Sequence, residues 1–262
     1  MNLKEALKGK LTEKELKLLV GSYDVIGDIA VIEIPRELKK KQKLIGQTLL
    51  KLLKNVKTAA AKKGGHYGVY RRQKLNILAG SKKLQTTQKE SGILLKLDVE
   101  KCYYSPRMGS ERLRIAKQVK KGEKILVVGS GIAPYPLVIA KHSPAGEITA
   151  VETNPTAHKY AIENVKLNKF EHKIKLIKAD IRKIKLGKYD RIISIIPHYG
   201  VKLMPALLKF AKKGTIIHIY DFANEEDLEE PARKIKAKII RVVKAGQAAT
   251  RRYRVCIDAK VS

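Results

Sequence analysis

Apolar positions recur along the chain at two periods, and each period predicts a different element. Leu3, Leu7, Leu11 and Leu18 share one side at helical spacing, so residues 1–20 read as a lysine-rich amphipathic helical lead, interrupted at Gly9. Ile29 to Ile34 reads as a strand ended by Pro35. Leu38 to Val56 returns to helical spacing with lysines between the apolar residues. A basic, glycine-rich loop from Gly64 to Arg72 precedes apolar Leu75 to Leu78, and a further strand pattern runs from Ile93 to Val99. This first half reads as a small mixed α/β unit ending near residue 115.

Beyond it, strand and helix alternate. Strand patterns lie at 124–128, 147–151, 173–177, 191–195 and 215–220, with a closing pair at 238–243 and 252–258. Helical patterns fall between them, including 134–140, 155–167 and 203–211. Such alternation argues a mostly parallel sheet covered on both faces, and two closing strands after a late helix fit a Rossmann-like, class I methyltransferase sheet of seven strands. No internal repeat is visible.

Composition narrows the setting. Hydrophobic residues form 44% of the 262, enough for a buried core. No apolar run reaches the roughly 20 residues of a membrane span, and the first residues lack a signal-peptide pattern, so a cytoplasmic protein with no membrane contact is the plain reading. Cys102 and Cys256 sit in no metal or disulfide spacing, and His66, His158 and His198 show none either, so no metal is assigned. Lys and Arg number 56 against 25 acids, a formal charge of +31. A field of that size favours a polyanionic partner, nucleic acid being the commonest, although solvated lysines would give the same count.

The chemistry gathers at three strand ends. The strand Ile125–Val128 runs into Gly129-Ser130-Gly131, where glycine lets the backbone approach a ligand at the carboxyl edge of the sheet. The next strand ends at Glu152, 21 residues beyond Gly131, where a carboxylate can bind both hydroxyls of a ribose. The third leads to Asp180, placed to accept from an adenine amino group. Singly, each acid could equally be a solvated strand end; together they point to a nucleotide-type cofactor. A dinucleotide stays open on these features alone, but Pro134 stands where the third glycine of that fingerprint would be.

Several stretches resemble the archaeal and eukaryotic tRNA guanine-37 N1-methyltransferases. They are Ser22 to Ala30, Tyr103-Tyr104-Ser105-Pro106-Arg107 with Glu111-Arg112-Leu113-Arg114, Glu152-Thr153-Asn154-Pro155, Glu163 to Asn168, and Gly214 to Tyr220. The members that also methylate a tricyclic wyosine precursor look most similar, through Ala133 to Pro136 and Ala157 to Tyr160. The resemblance implies S-adenosylmethionine as cofactor and the tRNA anticodon loop as partner. It makes residues 21–115 an RNA-binding and catalytic-support domain and 116–262 the cofactor-binding domain. It makes Glu111 the general base and Arg71 its catalytic partner. Tyr103 and Arg107 would meet the methionine end of the cofactor, and Gly129, Gly131, Glu152, Asn154 and Asp180 the rest. Guanine N1 becomes a good nucleophile as its proton leaves, which a carboxylate can take while an arginine stabilises charge on O6. The sulfonium methyl is already activated, so this chemistry asks for no metal. By residues alone, Glu111 could sit on a surface helix face with local ion pairs, and Arg71 and Arg72 could both be phosphate contacts.

The chain departs from that pattern in three places. The small N-terminal domain that grips the tRNA elbow is expected to be absent. The loop after the fourth strand offers Ile195-Ile196-Pro197 where asparagine is usual, which implies a different way of recognising the base. His198 and Tyr199 follow and could stack on a flipped-out base, or simply belong to a packed loop. Val127 and Gly129 replace an aspartate and an aromatic. These changes fit a wider pocket that also methylates carbon 7 of 4-demethylwyosine. Two other classes stay open: a non-catalytic RNA-binding protein on a degenerate fold, and an aminocarboxypropyl transferase of the wyosine pathway. A monomer is expected.

Overall fold

A computed structural model describes residues 1–196 and 199–262. It resolves two compact units, Met1–Glu90 with Leu94–Pro106, and Ser91–Ile93 with Arg107–Ser262.

In the first unit, α1 (Leu3–Ala6) and α2 (Glu13–Leu18) are each opened by a capping box, Asn2 with Glu5 and Thr12 with Glu15. Gly9 turns the chain between them at φ +73°. The expected lead is thus two short helices, and restarting at Thr12 resets the helical phase. Leu3, Leu7 and Leu11 are buried as expected, but Leu18 is 41% exposed while Leu16 and Leu19 take the inner positions. These leucines share a core with Leu38, Ile45 and Leu49.

Four strands form one sheet in chain order: β1 (Tyr23–Ile26), β2 (Ile29–Ile32), β3 (Thr58–Lys62) and β4 (Leu75–Gly80). The outer pairs are antiparallel, and β2 runs parallel to β3. The parallel pair needs a crossover, which a 3₁₀ turn at Arg36–Lys41 and α3 (Gln42–Leu52) provide. β3 carries no sequence signal, because three alanines prefer helix; its burial against α3 and both neighbouring strands overrides that preference. β5 (Gln85–Glu90) and β6 (Ile93–Asp98) form a separate two-stranded sheet.

The second unit opens with α4 (Gly109–Ala116), followed by β7 (Lys124–Val128), α5 (Pro134–His142), β8 (Glu147–Glu152), α6 (Pro155–Leu167), β9 (Ile174–Lys178), β10 (Tyr189–Ser194), α7 (Met204–Leu208), β11 (Ala211–Asn224), β12 (Lys238–Ala249) and β13 (Arg252–Lys260). The seven-stranded sheet runs β12-β13-β11-β10-β7-β8-β9. β7 to β11 are mutually parallel and β13 is antiparallel to both its neighbours. The order reverses between β7 and β10, the place where open α/β sheets leave a crevice at their carboxyl edge. β7 is buried from Ile125 to Val128, which is why it reads as an unbroken apolar run.

The helix expected at 203–211 shrinks to α7, because β11 begins at Ala211 and continues to Asn224. That length is set by β13, which pairs with β11 from Ile216–Lys260 to Asn224–Arg252. Only a 3₁₀ turn at Ala232–Lys234 lies between β11 and β12 among the described residues.

Candidate active site

At the carboxyl edge the chain turns sharply out of β7. Gly129 and Gly131 have φ of +74° and +58°, and Ala133 follows at +71° to open α5. A Cβ at Gly129 would stand 2.5 Å from Ile196 Cγ1, so two constraints select glycine there. The Gly129 and Ser130 amides donate to the Val151 carbonyl at 2.9 and 3.1 Å. Glu152 then staples this loop to the next: its Oε2 accepts the Gly131 amide at 2.6 Å and its Oε1 the Asn154 amide at 2.7 Å. Burial pushes the Glu152 carboxyl up, and these amides oppose it by bonding the charged form. Asn154 caps α6, its side chain accepting the Thr156 and Ala157 amides at 3.0 and 3.4 Å.

Asp180 caps the turn at Ile181–Lys183 and grips the Arg182 guanidinium, with Nε–Oδ1 at 3.0 Å. Hydrogen bonding to Arg182 holds its carboxyl down at about 2. Close by in the fold, Ser130 and Ser194 bury hydroxyls that have no hydrogen-bond partner among the described residues. Ser194 closes β10 opposite Val128, beside the crevice. An unsatisfied buried hydroxyl costs about 1–3 kcal/mol, so two at one sheet edge suit a polar ligand there. This edge fits the nucleoside part of S-adenosylmethionine.

Ile195 donates its amide to Val128 at 2.9 Å, and Ile196 lies over Gly129. Tyr199 is 58% exposed. Pro197 and His198 lie outside the described residues.

Glu111 sits in the first turn of α4 and is buried. Arg114, one turn on, holds both its oxygens, Nε–Oε2 at 2.6 Å and Nη2–Oε1 at 2.8 Å. The Tyr220 hydroxyl donates to Oε1 at 2.6 Å and itself accepts from Tyr135 at 2.9 Å. Behind Arg114, Asp258 accepts from Arg114, Arg241 and His218 at 2.8, 2.8 and 2.6 Å. Arg191 can only donate to His218 Nε2, 2.6 Å away, so the imidazole is neutral with its proton on Nδ1, toward Asp258. Burial likewise lowers the pKa of His218. Burial works against the Asp258 carboxylate too, but its bonds from His218 and Arg114 outweigh that and drive it far below the usual range. His218, Cys256 and Asp258 offer ligand atoms within 4.8 Å of one another. Those of His218 and Asp258 are engaged by guanidiniums, which makes the trio a hydrogen-bonded core.

The remaining candidates, Arg107 apart, belong to the first unit. Arg71 adopts the left-handed conformation, φ +51°, and its guanidinium lies 5.2 Å over the Tyr103 ring. His66 meets the same ring edge-on at 5.2 Å. Together with Asp24 and Gln73 they line a cleft of about 110 Å³. Arg72 turns away to stack on Tyr67 at 5.4 Å, so only Arg71 joins Tyr103. Arg107 is exposed at the start of the second unit.

Residues 86–244 match the TRM5/TYW2 methyltransferase domain, and residues 3–83 match the TYW2 N-terminal domain. The chain belongs to the TRM5/TYW2 methyltransferase family. That domain takes in β5 and β6, α4, and the sheet as far as Lys244 in β12. Two curated TRM5/TYW2 relatives are similar across most of the chain. The tRNA (guanine(37)-N(1))-methyltransferase Trm5b of Pyrococcus abyssi is 36% identical, covering 94% of this chain and 76% of its own; its crystal structure superposes with a TM-score of 0.86. The tRNA (guanine(37)-N(1))/4-demethylwyosine(37)-methyltransferase Taw22 of Nanoarchaeum equitans is 33% identical, covering 90% and 98%. A solved complex of aTrm5 with tRNALeu, 30% identical, covers all of this chain and 78% of its own with a TM-score of 0.90.

Sequence reading missed Arg114, Tyr135, Tyr220, His218 and Asp258 as parts of a site. A signal was there: His218 and Asp258 interrupt the apolar runs Ile216–Tyr220 and Val255–Ala259, and such residues must find partners once buried.

Proposed function

We propose that the chain transfers the methyl group of S-adenosylmethionine to N1 of guanosine 37 in tRNA. The observation that carries this is a buried carboxylate, Glu111, held by Arg114 and Tyr220 in the unit that also carries the Glu152-stapled glycine loop. S-adenosylmethionine supplies a methyl group already activated on its sulfonium. Gly129, Gly131, Glu152, Asn154 and Asp180 hold its nucleoside, and Tyr103 and Arg107 its methionine end.

Arg114 and Tyr220 fill both lone-pair directions of Glu111 Oε1, whereas among the described residues Oε2 accepts only from Arg114 Nε. Oε2 is therefore the atom that receives the N1 proton of guanine. Arg71 stabilises the negative charge that develops on O6 as that proton leaves. Arg72 contacts phosphate, and Tyr199 meets the base. The first unit serves RNA binding, and the enzyme acts as a cytoplasmic monomer without a metal.

Methyl-labelled cofactor and tRNA transcripts that differ at position 37 test this reading. Label should require guanosine there; equal labelling of every transcript, or none, ends it. A second substrate, 4-demethylwyosine methylated at carbon 7, is favoured by the similarity to Taw22 and by the isoleucine loop over Gly129. Nucleoside mass spectrometry after reaction with precursor-containing tRNA decides that reading, because methyl and aminocarboxypropyl products differ in mass.

A further inference from the structure

Along antiparallel β11 and β13, side chains alternate between the two faces of the sheet. Register places Phe222 opposite Arg254, Tyr220 opposite Cys256 and His218 opposite Asp258, with Asn224–Arg252 closing the row. Tyr220 and Asp258 both bond members of the Glu111 cluster, so this face is the Glu111 face. Phe222 stands two residues beyond Tyr220, roughly 6–7 Å farther toward the carboxyl edge. Two guanidiniums lie over its ring, Arg252 at 5.3 Å and Arg254 at 5.6 Å. Arg254 is further anchored on Met108, Nη1 to Sδ 3.0 Å, at the start of α4. Arg252 is exposed and makes no ion pair among the described residues, while Phe222 is half-buried. The opposite face of the same strands has another character. There Lys244 lies 4.1 Å over Tyr253, whose hydroxyl donates to Glu225 at 2.9 Å. Glu225 opens the acidic run Glu225-Glu226-Asp227 just beyond β11.

We infer that Phe222, Arg252 and Arg254 form a stacking platform for the unpaired nucleotide next to the base being methylated. A ring packed with two guanidiniums offers flat surfaces on which a base can stack and planar donors for its phosphate. Single-stranded RNA fits this surface, because a duplex keeps its base faces covered. The inference rests on tRNA being the substrate and on Glu111 marking the target base.

The test uses the full chain and an anticodon stem-loop RNA that carries 2-aminopurine beside guanosine 37. Arg252→Ala should weaken binding roughly tenfold and lower the slope of log affinity against log salt by about one phosphate. Arg252→Lys, which keeps the charge but loses the plane, should restore the slope and only part of the affinity. Phe222→Leu should weaken binding roughly tenfold and relieve the quenching of 2-aminopurine, with kcat at saturating RNA within about twofold of wild type. Unchanged cofactor affinity and melting temperature establish that the variants are folded. Wild-type affinity, slope and quenching in the variants overturn the platform alone. No RNA binding by the wild-type chain overturns the substrate reading and the platform with it.

Discussion

Two of the second unit's buried carboxylates, Glu152 and Glu111, are held in opposite ways. Glu152 is fixed by backbone amides of Gly131 and Asn154. Its placement follows from where two loops leave the sheet and hardly depends on which side chains surround it. Glu111 is fixed by side chains, Arg114 and Tyr220, and these lean on Tyr135, Asp258, His218 and Arg191. A backbone-held acid tolerates substitution of its neighbours but not of the glycines that shape its loop. A side-chain-held acid fails when any member of its cluster leaves a partner buried without a counter-charge.

The largest effect expected from breaking the second arrangement falls on stability. Asp258→Ala strips a common acceptor from Arg114, Arg241 and His218, and removing one partner of a buried ion pair costs about 3–5 kcal/mol. Chemical denaturation should show that loss. The same residue predicts the response to acid. Its carboxyl lies lower in the folded than in the unfolded chain, so its contribution is full above the unfolded value near 4 and lost as pH falls below it. His218, lowered by burial, loses its contribution earlier, as pH falls below about 6.5. Melting temperature should therefore begin to fall between pH 6.5 and 4, and His218→Gln should flatten that first segment.

Glu111→Gln sharpens the comparison on the side of activity. The amide keeps the volume and some hydrogen bonds but cannot take a proton at neutral pH. Loss of a general base should lower kcat about a hundred- to a thousandfold. Cofactor affinity should stay near wild type, because Glu152 and its loop are untouched; a parallel loss of cofactor binding would mean that Glu111 acts structurally.

Gly129→Ala attacks the backbone-held carboxylate. The left-handed φ and the 2.5 Å approach of Ile196 act together, for a loss of about 2–3 kcal/mol and weaker cofactor binding. Adding Ile196→Ala should recover the steric part and leave the backbone part. Tyr220→Phe is milder: one charge-assisted bond to Glu111 disappears and Tyr135 loses its acceptor, so kcat should fall about tenfold while the KM for RNA holds. No change in kcat would show that Arg114 alone positions the carboxylate.

The same contrast explains what could be read from the sequence. The doubly wound unit was legible because burial of β7 and β8 on both faces writes apolar runs, and the glycine loop and Glu152 sit at fixed offsets from those strands. β3 was not legible, since Thr58–Lys62 is a strand only by virtue of what covers it. Nor could periodicity reveal that Tyr220, 109 positions from Glu111, reaches its carboxylate, or that Asp258, 144 positions from Arg114, anchors its guanidinium. Those contacts exist only after the sheet is ordered β13-β11-β10. The resemblance pointed to Glu111 by its motif without disclosing what holds it.

Asp180 falls between the two cases and should give the smallest effect. Its carboxylate caps a backbone turn and also pairs with Arg182, whose side chain is 67% exposed. An exposed partner is screened by solvent and salt, so this pair is worth under about 1 kcal/mol despite the depressed carboxyl. Asp180→Asn keeps the capping oxygen and should leave the melting temperature within about two degrees of wild type. If the carboxylate accepts from the adenine amino group, Arg182 swings aside when the cofactor binds. Asp180→Asn should then weaken S-adenosylmethionine several-fold, and 0.5 M salt should narrow the gap between variant and wild type by about half or less. Equal affinities at low salt would return Asp180 to the role of a turn cap. Glu152 would then be the one acid on the nucleoside.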